Sequence, residues 1–233
     1  MRISIIFFSI IFLMMAIPCQ SNEVLNFSIN PSWDSRYVTE GADNLDSGGL
    51  FSIDLTLSNN AFSFGLWLAK GDSEDYKEIN LYVEYVFLIS DVEGYLNLTH
   101  LLFPEEANNE DQDNEIGFGL SYNPCQWLQP AVDYAWSSEQ KSGYVEFSLI
   151  SELLEDESQY QITPYLLRSY DFGYVSKDYD GVNHTEVGLE LSTLISANTT
   201  LQLGLYHSWA GANLERDDLD DESWLNIGLS VEI

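Results

Sequence analysis

Eight carboxylates recur on the polar side of segments that alternate polar and apolar residues: Asp54, Glu78, Glu84, Glu115, Asp133, Glu146, Glu186 and Glu190. Of the basic residues, Arg36 stands clearly among them and Arg168 lies on a less regular segment. Unpaired carboxylates cannot be buried dry, because they would take up protons or destabilise the fold. The pattern therefore predicts a wet interior lined with negative charge, to which Arg36 and Tyr82 also contribute. Such a passage favours cations over anions. A second reading fills the same space with Tyr82, Tyr95, Tyr144 and Tyr206, whose hydroxyls bond the carboxylates and leave nothing to conduct.

Other chemistries find less support. The three histidines are His100, His184 and His207. A lipid-cleaving site would need a Ser and a His together on an outward face near one rim. His100 and His207 fall in phase with outward faces, but Ser208, next to His207, points the other way. The chain is thus not expected to be an enzyme. No phosphate-binding glycine loop, CxxC or HExxH is present. Asp111, Asp113 and Glu115 alternate like calcium ligands but lack the glycine of an EF-hand loop, so a solvated acidic loop is the better reading and neither metal nor cofactor is expected. With 38 acidic residues against 8 basic and a net charge of -30, nothing basic is clustered for nucleic acid.

The elements that must position these groups are strands. Leu50 to Ser58 sets Phe51, Ile53, Leu55 and Leu57 against Ser52, Asp54, Thr56 and Ser58. The same period of two runs through 26–36, 62–69, 78–88, 94–103, 115–122, 127–137, 144–151, 186–192, 200–209 and 224–233, and less regularly through 160–169, where Pro164 intervenes. That makes about twelve strands of roughly 8 to 11 residues, the length of a tilted membrane strand. Short turns at Asn59-Asn60, Ser90-Asp91, Asn123-Pro124 and Ala197-Asn198 alternate with longer acidic loops at 37–49, 70–77, 104–114, 170–183 and 210–222. The stretch 152–158 breaks that rule. The expected fold is all-β: a single antiparallel up-and-down transmembrane β-barrel. Closure removes strand edges, and outer-membrane lipid takes the apolar face. Trp33, Trp127, Trp136, Trp209 and Trp224 suit interfacial girdles. A secreted soluble β-sandwich that binds a ligand is the competing architecture. Four N-x-Ser/Thr sequons, at Asn26, Asn97, Asn183 and Asn198, read as chance, since Asn97 falls mid-strand.

Met1-Arg2 and the apolar run Ile3 to Ile17 predict a signal peptide over 1–21, leaving 22–233 as the barrel domain. Only Cys125 then remains, so no intrachain disulfide is expected. Leu225, Ile227, Leu229, Val231 and Ile233 share one face of the last strand, which resembles the C-terminal signal of bacterial outer-membrane barrels and would engage the barrel-assembly machinery. Ser35-Arg36-Tyr37-Val38 with Gly41, and Glu78-Ile79-Asn80-Leu81-Tyr82, resemble segments of a bacterial porin family of the TorF type, whose function is largely unassigned. The resemblance spans the mature chain. Thr39-Glu40 stands where an aromatic-basic pair is usual, and the terminal aromatic is replaced by Ile233. The resemblance implies a barrel in the bacterial outer membrane, and the acidic face adds passage of small, cationic or neutral solutes.

Overall fold

A computed structural model describes residues 25–104, 111–125, 127–153 and 160–233. The predicted signal peptide, most of 152–158 and the acidic residues 105–110 lie outside them. The strands are β1 (Asn26–Asp34), β2 (Val38–Thr39), β3 (Ala42–Asp43), β4 (Leu50–Ser58), β5 (Phe62–Gly71), β6 (Lys77–Ile89) and β7 (Val92–Phe103). They continue as β8 (Asp111–Tyr122), β9 (Gln129–Ser137), β10 (Ser142–Ile150), β11 (Tyr160–Phe172), β12 (Asp180–Ser196), β13 (Thr199–Ala210) and β14 (Glu222–Glu232). One short helix, α1 (Ala212–Arg216), precedes β14. β1 and β4 to β14 pair antiparallel with their neighbours, and β1 pairs with β14, so twelve strands close into a barrel. β2 and β3 form a separate two-stranded hairpin.

The alternation in the sequence becomes the two faces of the wall. Phe51, Phe147, Leu205 and Ile227 are exposed on the outside, Leu205 at 62%. Such apolar residues recur around the barrel, on β4, β6 to β8 and β10 to β14. An apolar outer face of this kind costs about 25 cal/mol for every Å² left in water, so it calls for an apolar surrounding. Inside, a small apolar cluster of Leu45, Leu50 and Ala69 packs with Tyr37, Trp67 and Tyr76.

Two prolines show how the ladder tolerates a missing donor. Opposite Pro31 the β1–β14 pairing passes from Ile29↔Val231 to Ser32↔Gly228 with no bridge between. Pro164 does not interrupt β11, contrary to its expected weakening effect. It lies one residue past the end of β10, whose last pair is Ile150↔Tyr165, and its carbonyl accepts the Ser151 N–H at 3.0 Å. The pairing runs on past β10 through that bond and Leu153 N–H to the Ile162 carbonyl at 3.0 Å, so Pro164 removes one donor without breaking the ladder.

Both termini of the described chain sit at one end of the barrel, where the turns at 59–61, 90–91 and 197–198 are short. The far end carries longer connections at 35–49, 173–179 and 211–221. The division is not strict: the turn at 138–141 is short at the far end, and at the terminal end 123–128, expected as a tight turn at Asn123-Pro124, and 151–159 are longer. The stretch expected as a long loop, 170–183, is half strand, since β11 runs to Phe172 and β12 starts at Asp180. Asp171 ties down what is left of it. It is fully buried, and it accepts the N–H groups of Tyr174, Val175 and Ser176 at 2.6, 3.1 and 2.9 Å and Asn213 Nδ2 at 2.8 Å. Replacing Asp171 by Ala is expected to cost about 2–4 kcal/mol, because four donors lose a charged acceptor. Urea unfolding and protease cleavage within 173–179 would measure it.

Candidate functional site

The barrel interior is built from the inward residues of the strands and the hairpin β2–β3, which folds in from the far end. Asp54, Glu78, Glu84, Glu115, Asp133, Glu146, Glu186 and Glu190 all lie on barrel strands, in phase with one another. Arg36 does not. It follows β1 at the far rim, half exposed, and pairs with Glu222 at 2.6 Å and Asp43 at 3.5 Å. It thereby joins the rim of β14 to the hairpin. Arg168 donates to Thr185 Oγ1 at 2.7 Å on the opposite side of β11 from Ser169.

Tyrosines satisfy most of these carboxylates along the wall. Tyr82 on β6 crosses β5 and donates to Asp54 on β4, at 3.1 and 2.9 Å from its two oxygens. It crosses at Gly65, where a Cβ would overlap the Tyr82 ring. Tyr95 on β7 crosses β8 at Gly119 in the same way and donates to Asp133 on β9 at 2.7 Å. Tyr206 donates to Glu190 at 3.0 Å, Tyr165 to Glu186, and Tyr174 to Glu115. Glu78 is only 3% exposed and accepts Tyr37 Oη, Tyr76 Oη and Asn80 Nδ2 at 2.7, 2.6 and 2.7 Å. Glu84 has no hydrogen-bond or ion-pair partner among the described residues. Part of the tyrosine-filled reading is therefore present, with Tyr165, Tyr174, Tyr37 and Tyr76 as bonding partners that the alternation alone did not single out.

Cavities remain inside. One of about 200 Å³ is lined by Glu40, Tyr95, Asn97, Glu115, Asp133 and Glu146 among others. Another, about 360 Å³ and nearer the terminal end, is lined by Thr163, Glu190, Ser192, Gln202, Tyr206 and Asn226 among others. Trp224 stacks on Tyr206 with ring centroids 5.1 Å apart, so it belongs to this inner wall and not to an outer girdle. Trp33 and Trp209 do lie outward near the far end. Trp33 donates to Asp72 at 3.0 Å, and the carboxyl of Asp72 is held below its usual range by Ser73, Gly49 N–H and Trp33.

A bulge supplies a cluster that strict alternation could not predict. The β11–β12 register shifts between Arg168↔Thr185 and Tyr170↔Val182, so Asn183 and His184 together oppose Ser169. Both side chains turn inward and are buried. His184 Nδ1 lies 2.8 Å from Ser169 Oγ and 3.0 Å from Tyr144 Oη, and its Nε2 lies 3.6 Å from Glu186. The Ser169 hydroxyl also accepts the His184 N–H and is 2% exposed. Full burial of Asn183 likewise agrees with reading its sequon as chance. On the outside, His207 Nδ1 lies 2.7 Å from Ser223 Oγ near the far rim. The His–Ser juxtaposition that a lipid-cleaving site requires does occur there, across strands and not within one. The pair has no third group: among the described residues no carboxylate holds the other ring nitrogen. The strand amides beside it are spent on the ladder and offer no oxyanion donors. Asp113, one of the alternating acids at 111–115, accepts Ser138 Oγ at 3.0 Å and Glu139 N–H at 2.9 Å, and so caps the 138–141 turn.

The fold of this barrel recurs among solved structures. The KdgM porin superposes with a TM-score of 0.60 at 11% identity, over 88% of this chain and 98% of that one. The chain has a porin-like barrel fold. The NanC porin gives 0.54 at 11% identity over 88% and 98%, and the COG4313 outer membrane channel from Pseudomonas putida F1 gives 0.53 at 11% over 92% and 97%. No family model matches the chain, and no curated protein matches it by sequence. At this identity the likeness is one of fold.

Proposed function

We propose that this chain is a porin-like barrel of the bacterial outer membrane through which small cationic or neutral solutes pass. The observation that carries the reading is the charge of the wall. Acidic groups from β4, β6, β8, β9, β10 and β12 face the interior, and among the described residues the lysines and arginines lie at the rims or outside it. The apolar belt fits lipid, and the short turns at the terminal end fit the periplasmic side of such barrels. The TorF-type resemblance of the sequence fits the same assignment. The KdgM porin has also been solved in complex with disordered oligogalacturonate. An oligogalacturonate is a polyanion, and a wall of carboxylates would repel one. The solutes of this chain are therefore of another class.

Liposome swelling tests the reading. Vesicles carrying the refolded chain are expected to swell faster in an isosmotic small organic cation than in an organic anion of equal size. Equal rates, or no swelling in either, would contradict it.

A further inference from the structure

The hairpin β2–β3 carries its turn, Glu40-Gly41, into the middle of the barrel. Both residues have positive φ, 49° and 81°, the geometry of a two-residue type I′ turn. Glutamate is an uncommon choice there, since a Cβ disfavours the left-handed region. Titratable groups face Glu40 from around the wall: Glu78 on β6, Glu115 on β8, Tyr144 and Glu146 on β10, Asp171 on β11, Tyr174 just after β11, and His184 on β12. Tyr37 faces it from the hairpin base, and Asp133 on β9 lines the same cavity. One point lies near groups on so many strands of a closed barrel only if it is close to the axis.

The base of this hairpin packs into the apolar cluster, whereas its tip is held by polar and ring contacts with β12. Tyr37 and Leu45 belong to the interior apolar cluster, and Asp43 accepts the N–H groups of both at 3.2 Å. Beyond them the hairpin has two ladder pairs, Val38↔Asp43 and Thr39↔Ala42. Asn183 Nδ2 donates to the Glu40 carbonyl at 2.5 Å, and Gly41 sits against the His184 ring with no room for a Cβ. Removal from water pushes the Glu40 carboxyl above its ordinary value of 4.5; Thr39 and His184 pull the other way, and Glu78 and Asp171 push further up. An acid raised in this way favours the docked tip when protonated. That preference is complete below the ordinary value and is lost as pH rises through the raised one.

We propose that the β2–β3 hairpin is a gate across the barrel interior, closed while Glu40 is protonated and opened when Glu40 ionises among the surrounding carboxylates. The gate rests on the porin reading, and two measurements separate them. Hydrogen exchange of amides 38–43, corrected for intrinsic rates, reports the hairpin alone; bilayer conductance reports passage. Between about pH 4 and about pH 8, protection of the tip in the refolded full chain is expected to fall at least about tenfold, and conductance to rise with it. Glu40→Gln should abolish both changes. Asn183→Ala, which removes the strap without altering charge, should lower protection at both pH values and keep the pH dependence. Protection that does not change with pH, or that changes equally in Glu40→Gln, would overturn the gate. A Glu40-dependent change in protection with no conductance at either pH would support the moving hairpin and overturn the porin reading.

Discussion

Gly65→Val is expected to destabilise the barrel by about 2–4 kcal/mol, and Gly119→Val by a similar amount. At both positions a tyrosine from the next strand lies over the glycine to reach a carboxylate on the strand beyond. A branched side chain cannot share that space with the ring. Tyr82 would have to leave Asp54, and Tyr95 would have to leave Asp133. The cost then combines overpacking with a carboxylate stripped of its donor. Tyr82→Phe leaves the packing and removes only the hydroxyl, so it should cost about 1–2 kcal/mol. Urea midpoints of the refolded proteins in detergent would rank the three. A Gly65→Val protein as stable as the parent would mean that the tyrosine bridges contribute nothing.

The second large effect concerns charge. Replacing Glu84 and Glu190 by Gln is expected to reduce cation preference several-fold, because Glu84 is half-buried and Glu190 exposed on the inner wall, Glu190 lines the larger cavity described above, and among the described residues no arginine or lysine pairs with either. Glu84 is the more informative of the two. It has no partner to lose among the described residues, so its substitution changes charge with little change in packing, whereas Glu190 also gives up Tyr206. Reversal potentials of the two single variants would separate these roles. Potentials unchanged from the parent would contradict a conducting route past these two groups.

The barrel was legible because an apolar outer face and a polar interior impose a period of two on nearly every strand. Leu50 to Ser58 and Leu225 to Ile233 show it without a break, and the inward carboxylates follow from the same parity. What escaped is what breaks parity or leaves the strands. Asn183 and His184 both face inward because of a bulge, and no alternating pattern encodes two neighbours on one face. The hairpin at 38–43 is two residues a side, too short to register as strand, so its position near the axis depends on burial of Tyr37 and Leu45 at its base. Arg36 carries the parity of the wall but lies past the last pair of β1, where it serves the rim. Tyr174 reaches Glu115 on β8 from the connection after β11, past two intervening strands, a contact that strand alternation does not encode.

The account turns on whether the acidic interior is a conducting path. The most direct test is the zero-current potential of the refolded chain in a planar bilayer under a salt gradient, at a pH high enough to ionise Glu40. The account predicts discrete conductance steps with a potential displaced towards that of the cation. A potential at zero or towards the anion, or an inserted barrel that carries no current, would contradict it.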